Sequence, residues 1–382
     1  MKLLTLLSTL LVSTLLLAAP KEAVIGLASN FSEVSSSSSN PFGGYFQDGV
    51  TLALSDSKEK LDKAGIKIIF EKFDYGTTDA RVLDVAKEAA KSKAIAVLGY
   101  NFSSHTLLAA PIHKKAGLPL LTPSASANRI AGMGDFVHQG CFDNTFMGET
   151  LARIALNKLK AKRAAIVVSA DCAYCTDLAS AFENEFKKSG GSIAVQVPLL
   201  KDEKNFAPLI EKLKIEKFDV VLVPNEELSS ARIIAALLEA GINRPFLGGD
   251  GWGNVGQEFF GILGKRNLRG YSVSHWHPDE KSANSKSFVR RYKAMFGKTP
   301  NDTSVLAYDS MLIMVEAITN AKELTRKGME DALNSIKTFS GVTGHYIYQS
   351  NMAPLKSLVL LSANNSRFKI VERIEPTPRS SK

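Results

Sequence analysis

Five short stretches of the 382-residue chain combine hydroxyl, amide, carboxyl and aromatic side chains with residues small enough to let a small molecule reach the backbone. They are Tyr100-Asn101-Phe102-Ser103-Ser104, Thr122-Pro123-Ser124-Ala125-Ser126, residues 171–174 ending on Tyr174, Asn225-Glu226-Glu227, and Gly248-Gly249-Asp250-Gly251-Trp252. Hydroxyls and amides suit a carboxylate, and an acid answers an ammonium. Taken singly, each has a plainer explanation. Serines before helices are usually N-caps, an aspartate among glycines is a turn former, and Tyr174 and Phe42 serve equally well as core aromatics. Their joint placement is what gives them weight.

Groups that would do covalent or metal chemistry are sparse. Gly249-Asp250-Gly251 is followed by Trp252-Gly253-Asn254, which misplaces the third glycine of a dinucleotide-binding turn, and Gly261-Ile-Leu-Gly264-Lys265-Arg266 lacks the Ser or Thr of a phosphate loop. Neither His-Glu-x-x-His nor Gly-x-Ser-x-Gly occurs. His275-Trp276-His277 puts two imidazoles at metal-ligand spacing but without a third ligand. Cys172-Ala-Tyr-Cys175 has redox-dithiol spacing and Cys141 stands alone. In an exported protein the close pair reads as a local disulfide, as free thiols or as a redox motif.

The elements that must position these loops follow from hydrophobic periodicity. Runs rich in apolar residues at 23–28, 66–73, 94–99 and 118–121 read as buried strands. Between them, 79–92 places Val82, Val85, Ala86, Ala89 and Ala90 at helical spacing, and 103–116 carries a helix that Gly117 stops. A second series has strands at 163–169, 192–197, 219–223 and 245–248, with helices at 144–159, 176–189, 206–213 and 228–240. Past Gly270 the order changes: helices at 285–296, 304–320 and 325–337 precede short strands near Tyr346, 358–361 and 368–371. Alternation of this kind predicts parallel sheets flanked by helices. The five stretches fall after strands, where open parallel sheets bind ligands and helix N-termini present free amides.

Met1-Lys2, an apolar run over 3–17 and Ala18-Ala19 have the form of a secretory signal peptide, with no cysteine placed for a lipid anchor. The remainder is long enough for two cores. Apolar residues make up 45%, which is ordinary for a globular protein. The net charge of +9 comes from Lys and Arg interleaved with Asp and Glu, for example over 57–63, so a solvated basic surface is expected and not a nucleic-acid-binding face.

A set of ordered signatures spans nearly the whole chain after residue 20. They are Ile25-Gly-Leu-Ala28, Phe42-Gly43 followed by Gly49, Leu98-Gly99 with Ser103-Ser104, Gly117-Leu-Pro-Leu-Leu-Thr-Pro-Ser-Ala-Ser126, and Ala173-Tyr174. Phe246-Leu-Gly-Gly-Asp250, Phe288 with Tyr292, Phe296-Gly297 and Pro300, Ala307-Tyr-Asp309, and Gly341-Val-Thr-Gly344 follow in turn. In this order the chain resembles the type I periplasmic binding proteins of the leucine/isoleucine/valine-binding group, which serve ABC transporters.

The resemblance implies an α/β fold of two doubly wound parallel-sheet lobes joined by a three-segment hinge and closing on ligand. Lobe 1 would comprise residues 20–142 and 274–344, and lobe 2 residues 143–273 and 345–382. Ser103, Ser126 and the backbone of Ser124, with Ser104 alongside, fall where the group holds an α-carboxylate. Asp250 falls where it opposes the α-ammonium, Phe42 and Tyr174 where it places aromatics, and Asp143 near the first crossing. The chain departs from the pattern at Cys175, where relatives often have glycine, and at Glu226-Glu227, which suggest a ligand more polar or more basic than leucine. The implied protein is a periplasmic monomer that delivers an amino acid or analogue to a membrane permease, with no catalysis, cofactor, metal or nucleic acid. A ligand sensor docking on a signalling receptor is the alternative.

Overall fold

Residues 19–31, 42–76, 78–253, 255, 257–349, 353–364 and 367–376 are described in the structure, a computed structural model. The signal-like segment and the serine run at 35–39 lie outside them.

The first apolar runs become β1 (Lys21–Ser29), β2 (Ile66–Asp74), β3 (Ala96–Gly99) and β4 (Leu120–Thr122), joined by β5 (Val137–Gln139). They form one parallel sheet in the order β2-β1-β3-β4-β5. Four helices connect them: α1 (Phe42–Ala64), α2 (Asp79–Lys91), α3 (Ser103–Lys115) and the short α4 (Asn128–Ala131). The spacing read at 79–92 is realised in α2, whose buried residues are Val82, Val85, Ala86 and Ala89, with Thr78 capping its N-terminus.

The second series opens with α5 (Asn144–Arg153), whose last turn widens into a π-helical turn over Ile154–Lys158. It continues through β6 (Arg163–Ser169), α6 (Ala173–Lys188), β7 (Ser192–Leu199), α7 (Ala207–Lys214), β8 (Val220–Leu222), α8 (Glu227–Glu239), β9 (Phe246–Gly248), α9 (Gln257–Leu263) and β10 (Arg269–Ser274). The chain then returns to the first unit as α10 (Ala283–Phe296), α11 (Asp302–Asn320) and α12 (Arg326–Ser335). The ribbon of β11 (Thr338–Ser340) and β12 (His345–Ile347) follows, and β13 (Leu358–Asn364) and β14 (Arg367–Ile374) end in the second sheet.

That sheet has the order β14-β13-β10-β9-β8-β6-β7. Its inner strands are parallel, but β13 runs antiparallel to β10 and to β14. The reversal has a topological cause: β13 enters from the first unit instead of from a crossover helix, and β13 and β14 form a hairpin.

Each sheet is covered on both faces, which is why its strands read as continuous apolar runs. Along β6, Ala164, Ile166 and Val168 pack toward α5 and α6, while Ala165 and Val167 pack on the side of α8 and α9. In the first sheet Ile25, Leu27 and Leu98 meet α1 and α11, and Val97 and Leu120 meet α2 and α3. The first core also takes in Trp276, Phe288 and Tyr346. The chain therefore passes between the units three times: between β5 and α5, between β10 and α10, and between β12 and β13.

Buried polar groups knit these passages together. The Asp309 carboxylate accepts from the Val342 and Thr343 amides at 2.8 and 2.9 Å and from the Thr343 and Tyr346 hydroxyls at 2.7 and 3.1 Å. Lys356, fully buried, donates to Thr343 Oγ1 at 2.6 Å, and burial pushes its amine down to about 8 against the pull of Asp309.

Candidate ligand-binding cleft

The loops that follow β3 and β4 come from the first sheet, and those that follow β6, β8, β9 and β10 come from the second. Two bonds tie them across the gap. The Ala173 amide donates to Ser104 Oγ at 3.2 Å, and the Asn128 amide donates to Asp177 Oδ2 at 3.1 Å.

On the first side, Gly99 stands at φ +151° with no room for a side chain: a Cβ would lie 2.1 Å from the Ala28 carbonyl oxygen. Tyr100 follows at φ +45°, a conformation that costs a non-glycine residue free energy and is held here by its packing. Its ring stacks on Tyr75, with centroids 5.6 Å apart. This bend turns Asn101 and Ser103 toward the gap at the start of α3. The Asn101 amide donates to Ser29 Oγ at 3.1 Å, and its Oδ1 is buried without a hydrogen-bond partner. Ser103 Oγ accepts from the Ala127 amide at 3.1 Å, and Ser124 Oγ donates to the Asn101 carbonyl at 2.8 Å. Ser126 Oγ is buried and unpartnered, while its carbonyl accepts from the Asn144 amide at 2.9 Å.

On the second side, Cys172 and Cys175 are joined by a disulfide at the first turn of α6, and Cys141 is a buried free thiol. Tyr174, between the bridged pair, accepts from the Gly251 amide through its hydroxyl at 2.9 Å, and its carbonyl accepts from Asn144 Nδ2 at 3.0 Å. Burial first, then the neighbouring Asp250 charge, raises the phenol well above its ordinary range. Glycine is required at 251, because a Cβ would approach the Asn225 carbonyl oxygen to 2.7 Å and the Tyr174 ring to 2.8 Å.

Asp250 opens a short 3-10 turn after β9. Its Oδ2 lies 2.8 Å from His275 Nε2, and its Oδ1 is buried with no hydrogen-bond partner. The His275 ring is buried and stacked on Phe142 with centroids 3.9 Å apart.

The remaining candidates are placed differently. Phe42 begins α1, but its side chain lies outside the described residues. Asp143 caps α5 by accepting from the Phe146 amide at 2.9 Å, and it faces a groove with Glu149, Arg153 and Lys356 to which none of the strand-end serines contributes. Glu226 is paired with Lys201 at 3.0 Å. Glu227 turns to the other side, where its Oε1 accepts from the Phe259 amide at 3.1 Å and burial pushes the carboxyl up to about 7. Both glutamates therefore already have partners within the protein.

His275 entered the sequence reading as half of a metal pair. Instead it turns to Asp250, whereas His277 Nδ1 accepts from the Asp279 amide at 3.2 Å. The pairing follows from β9 and β10 being neighbours, with Gly248 opposite Ser272, so that the residues just past both strands meet. No spacing within the chain announces it.

Hydroxyls and an amide oxygen on one side and a carboxylate on the other, at the carboxyl ends of two α/β sheets, define a two-lobed solute-binding protein. The family comparison agrees: residues 25–365 match the periplasmic binding protein family, and the chain belongs to that family. A Leu/Ile/Val-binding protein of Citrobacter freundii is 27% identical over 208 residues, covering 54% of this chain and 56% of that protein, so the match spans about half the length of this relative. Among solved structures, a leucine-binding protein of Thermotoga maritima shares the fold with a TM-score of 0.83 at 23% identity, over 93% of this chain and 99% of that one. The substrate-binding protein of a branched-chain amino-acid transporter from Streptococcus pneumoniae, solved with isoleucine, gives 0.81 at 26% identity, over 93% and 100%.

Proposed function

We propose that the protein is the exported solute receptor of an ABC importer and that it takes up an amino acid or a close analogue between its lobes, closes by hinge motion and hands the solute to a membrane permease. It acts as a monomer, without catalysis or cofactor, after cleavage of the leader near Ala19. Lobe 1 is the unit built on the first sheet and α10 to α12, and lobe 2 is the unit built on the second sheet, with divisions near 142 and 274; the third, read at 344, is set after β12 instead, since Tyr346 packs in the first core. Ser103, Ser124 and Ser126, with Ser104 at the lobe contact, take the carboxylate end. Asp250 takes the ammonium, and Phe42 and Tyr174 flank the solute.

The observation that carries this reading is the pair of buried polar atoms without partners at the strand ends of the two sheets: Ser126 Oγ, which can donate to a carboxylate, on one side and Asp250 Oδ1, which can accept from an ammonium, on the other. An unsatisfied buried polar group costs about 1–3 kcal/mol, so such groups at a cleft are expected to be met by a ligand. The neighbours with amino-acid-binding descriptions support the solute class.

A thermal-shift screen of amino acids, their amides and small carboxylates tests it. A solute at about 100 times its Kd adds roughly 2.7 kcal/mol of stability and a clear rise in Tm. A response confined to solutes lacking an amine, or no response across the set, overturns the reading.

A further inference from the structure

Asp250 is the carboxylate of the cleft, yet its Oδ2 is already held by an imidazole of the same chain. Side-chain exposure is 1% for His275 and 13% for Asp250, so water contributes little to either. The ring is fixed on three sides: it stacks on Phe142 before α5, follows β10 directly, and meets Asp250 in the turn after β9. The charged groups acting on it are Asp250, which favours its protonated form, and Lys356, which opposes it from the segment before β13. Behind these, Ser274 donates to Asp302, the Tyr174 phenol hydrogen-bonds the Asp250 side chain and lies in its field, and Cys141 lies in that field too. Burial is the largest influence and pushes the ring down from its ordinary range.

We infer that His275 is the resident counter-group of Asp250: it orients the carboxylate through Oδ2, leaves Oδ1 to a cation on the solute, and cannot keep its own second proton once that cation is bound. This rests on the proposed ammonium site at Asp250.

The mutual exclusion is electrostatic. A carboxylate buried between two cations would leave one positive charge uncompensated in a site of low dielectric, which is costly. Bound solute therefore adds a downward push to His275, so binding releases a proton wherever the ligand-free ring is protonated. The sign follows: affinity falls by up to about tenfold for each pH unit below the ring's value in the ligand-free protein, and it is flat above that value. His275 acts here as a positioning residue, and the proton exchange tunes uptake to pH.

Calorimetric titration with the standard L-amino acids between pH 5 and 8, in buffers of different ionisation enthalpy, tests the inference. Below the pH at which the ligand-free ring is found to titrate, the strongest binder is expected to weaken up to about tenfold per pH unit with uptake of a released proton by the buffer, and His275→Gln, which keeps a donor toward Asp250, is expected to lose this pH dependence. A pH dependence unchanged in His275→Gln, or none in the parent, overturns the inference. Nitrogen NMR of the ring provides the arm that needs no solute and no His275 variant: the titration of His275 should move to lower pH in Asp250→Asn. A ring titration identical in the parent and Asp250→Asn overturns the pairing, even if no amino acid binds. Absence of binding at every pH together with a displaced ring titration instead condemns the solute assignment and leaves the pairing standing.

Discussion

The two faces of the cleft are built on the same principle and prepared differently. Both place loops past the carboxyl ends of parallel strands, but the first sheet supplies neutral hydroxyls and amides and leaves Asn101 Oδ1 and Ser126 Oγ unmatched. The second supplies ionisable groups and has already engaged most of them: Tyr174 with Gly251, Glu226 with Lys201, Glu227 with Phe259, and one oxygen of Asp250 with His275. A neutral polar atom without a partner costs less to bury than an unpaired charge. The difference teaches where discrimination resides. Under the proposed function, the hydroxyl face would accept many carboxylates, while the charged face, with one oxygen of Asp250 open, would select what fills it.

Removing that charge is the sharpest way to break the contrast. Asp250→Asn is expected to lower solute affinity by at least tenfold with the fold intact. A hydrogen bond to a charged group is worth about 1.5–3 kcal/mol, and stranding one member of a buried ion pair costs about 3–5 kcal/mol. Calorimetry beside circular dichroism reads both quantities, and parent-like affinity would reduce Asp250 to a turn former.

Truncating the neutral face should matter less. Ser126→Ala removes a hydroxyl that has no partner inside the protein, so its cost appears only with solute: about 1 kcal/mol, or several-fold in Kd. Ser103→Ala is expected to weaken binding less, because Ser103 Oγ already serves the Ala127 amide and neighbouring amides remain to hold the carboxylate. Equal losses for the two serines would show that the free hydroxyl has no special part in recognition.

The disulfide belongs to the charged face and bears on it indirectly. Cys172 and Cys175 bracket the turn that sends the Ala173 amide to Ser104 and the Tyr174 hydroxyl to Gly251. Opening the bridge with a thiol reductant, which takes two electrons and two protons to give two thiols, should weaken binding two- to threefold without unfolding. So short a closed loop contributes only about 2 kcal/mol in the chain-entropy account. Titrations with and without reductant, with the thiols counted by mass spectrometry, decide the point.

Much of this architecture was legible and the reasons are physical. Strand β6 is legible because both its faces are covered and every residue after Arg163 is apolar or small, and α2 because its face repeats at 3.6 residues. Strand β5 is only Val137–Gln139, and β10 mixes Gly270, Ser272 and Ser274 among its apolar residues, so neither gives a run. The antiparallel entry of β13 is set by where the chain arrives from, which no local pattern encodes. That the serines and Asp250 lie past strand ends follows from a general rule about open parallel sheets. The partner of Asp250 was missed because 25 residues and a strand pairing separate the two. Asp143, read as a helper next to the first crossing, caps α5.

The smallest expected effect on binding is at Glu227, and it is informative for that reason. Its carboxyl stands in the same loop as Glu226 but turns to the Phe259 amide, and burial raises it to about 7. A carboxyl whose folded value lies above its unfolded value of about 4.3 favours the protonated state, so its contribution is fully present below pH 4 and is lost as pH rises through 7. The parent should therefore lose on the order of 1–3 kcal/mol from this group between pH 4 and 8. Glu227→Gln keeps an oxygen for the Phe259 amide and carries no charge, so it escapes that loss. Its Tm should exceed the parent's by several degrees at pH 8 and match it at pH 4, with solute affinity unchanged at both. A loss of affinity in Glu227→Gln at pH 8 would return this glutamate to the cleft and break the separation between the acid that meets solute and the acids that hold the wall.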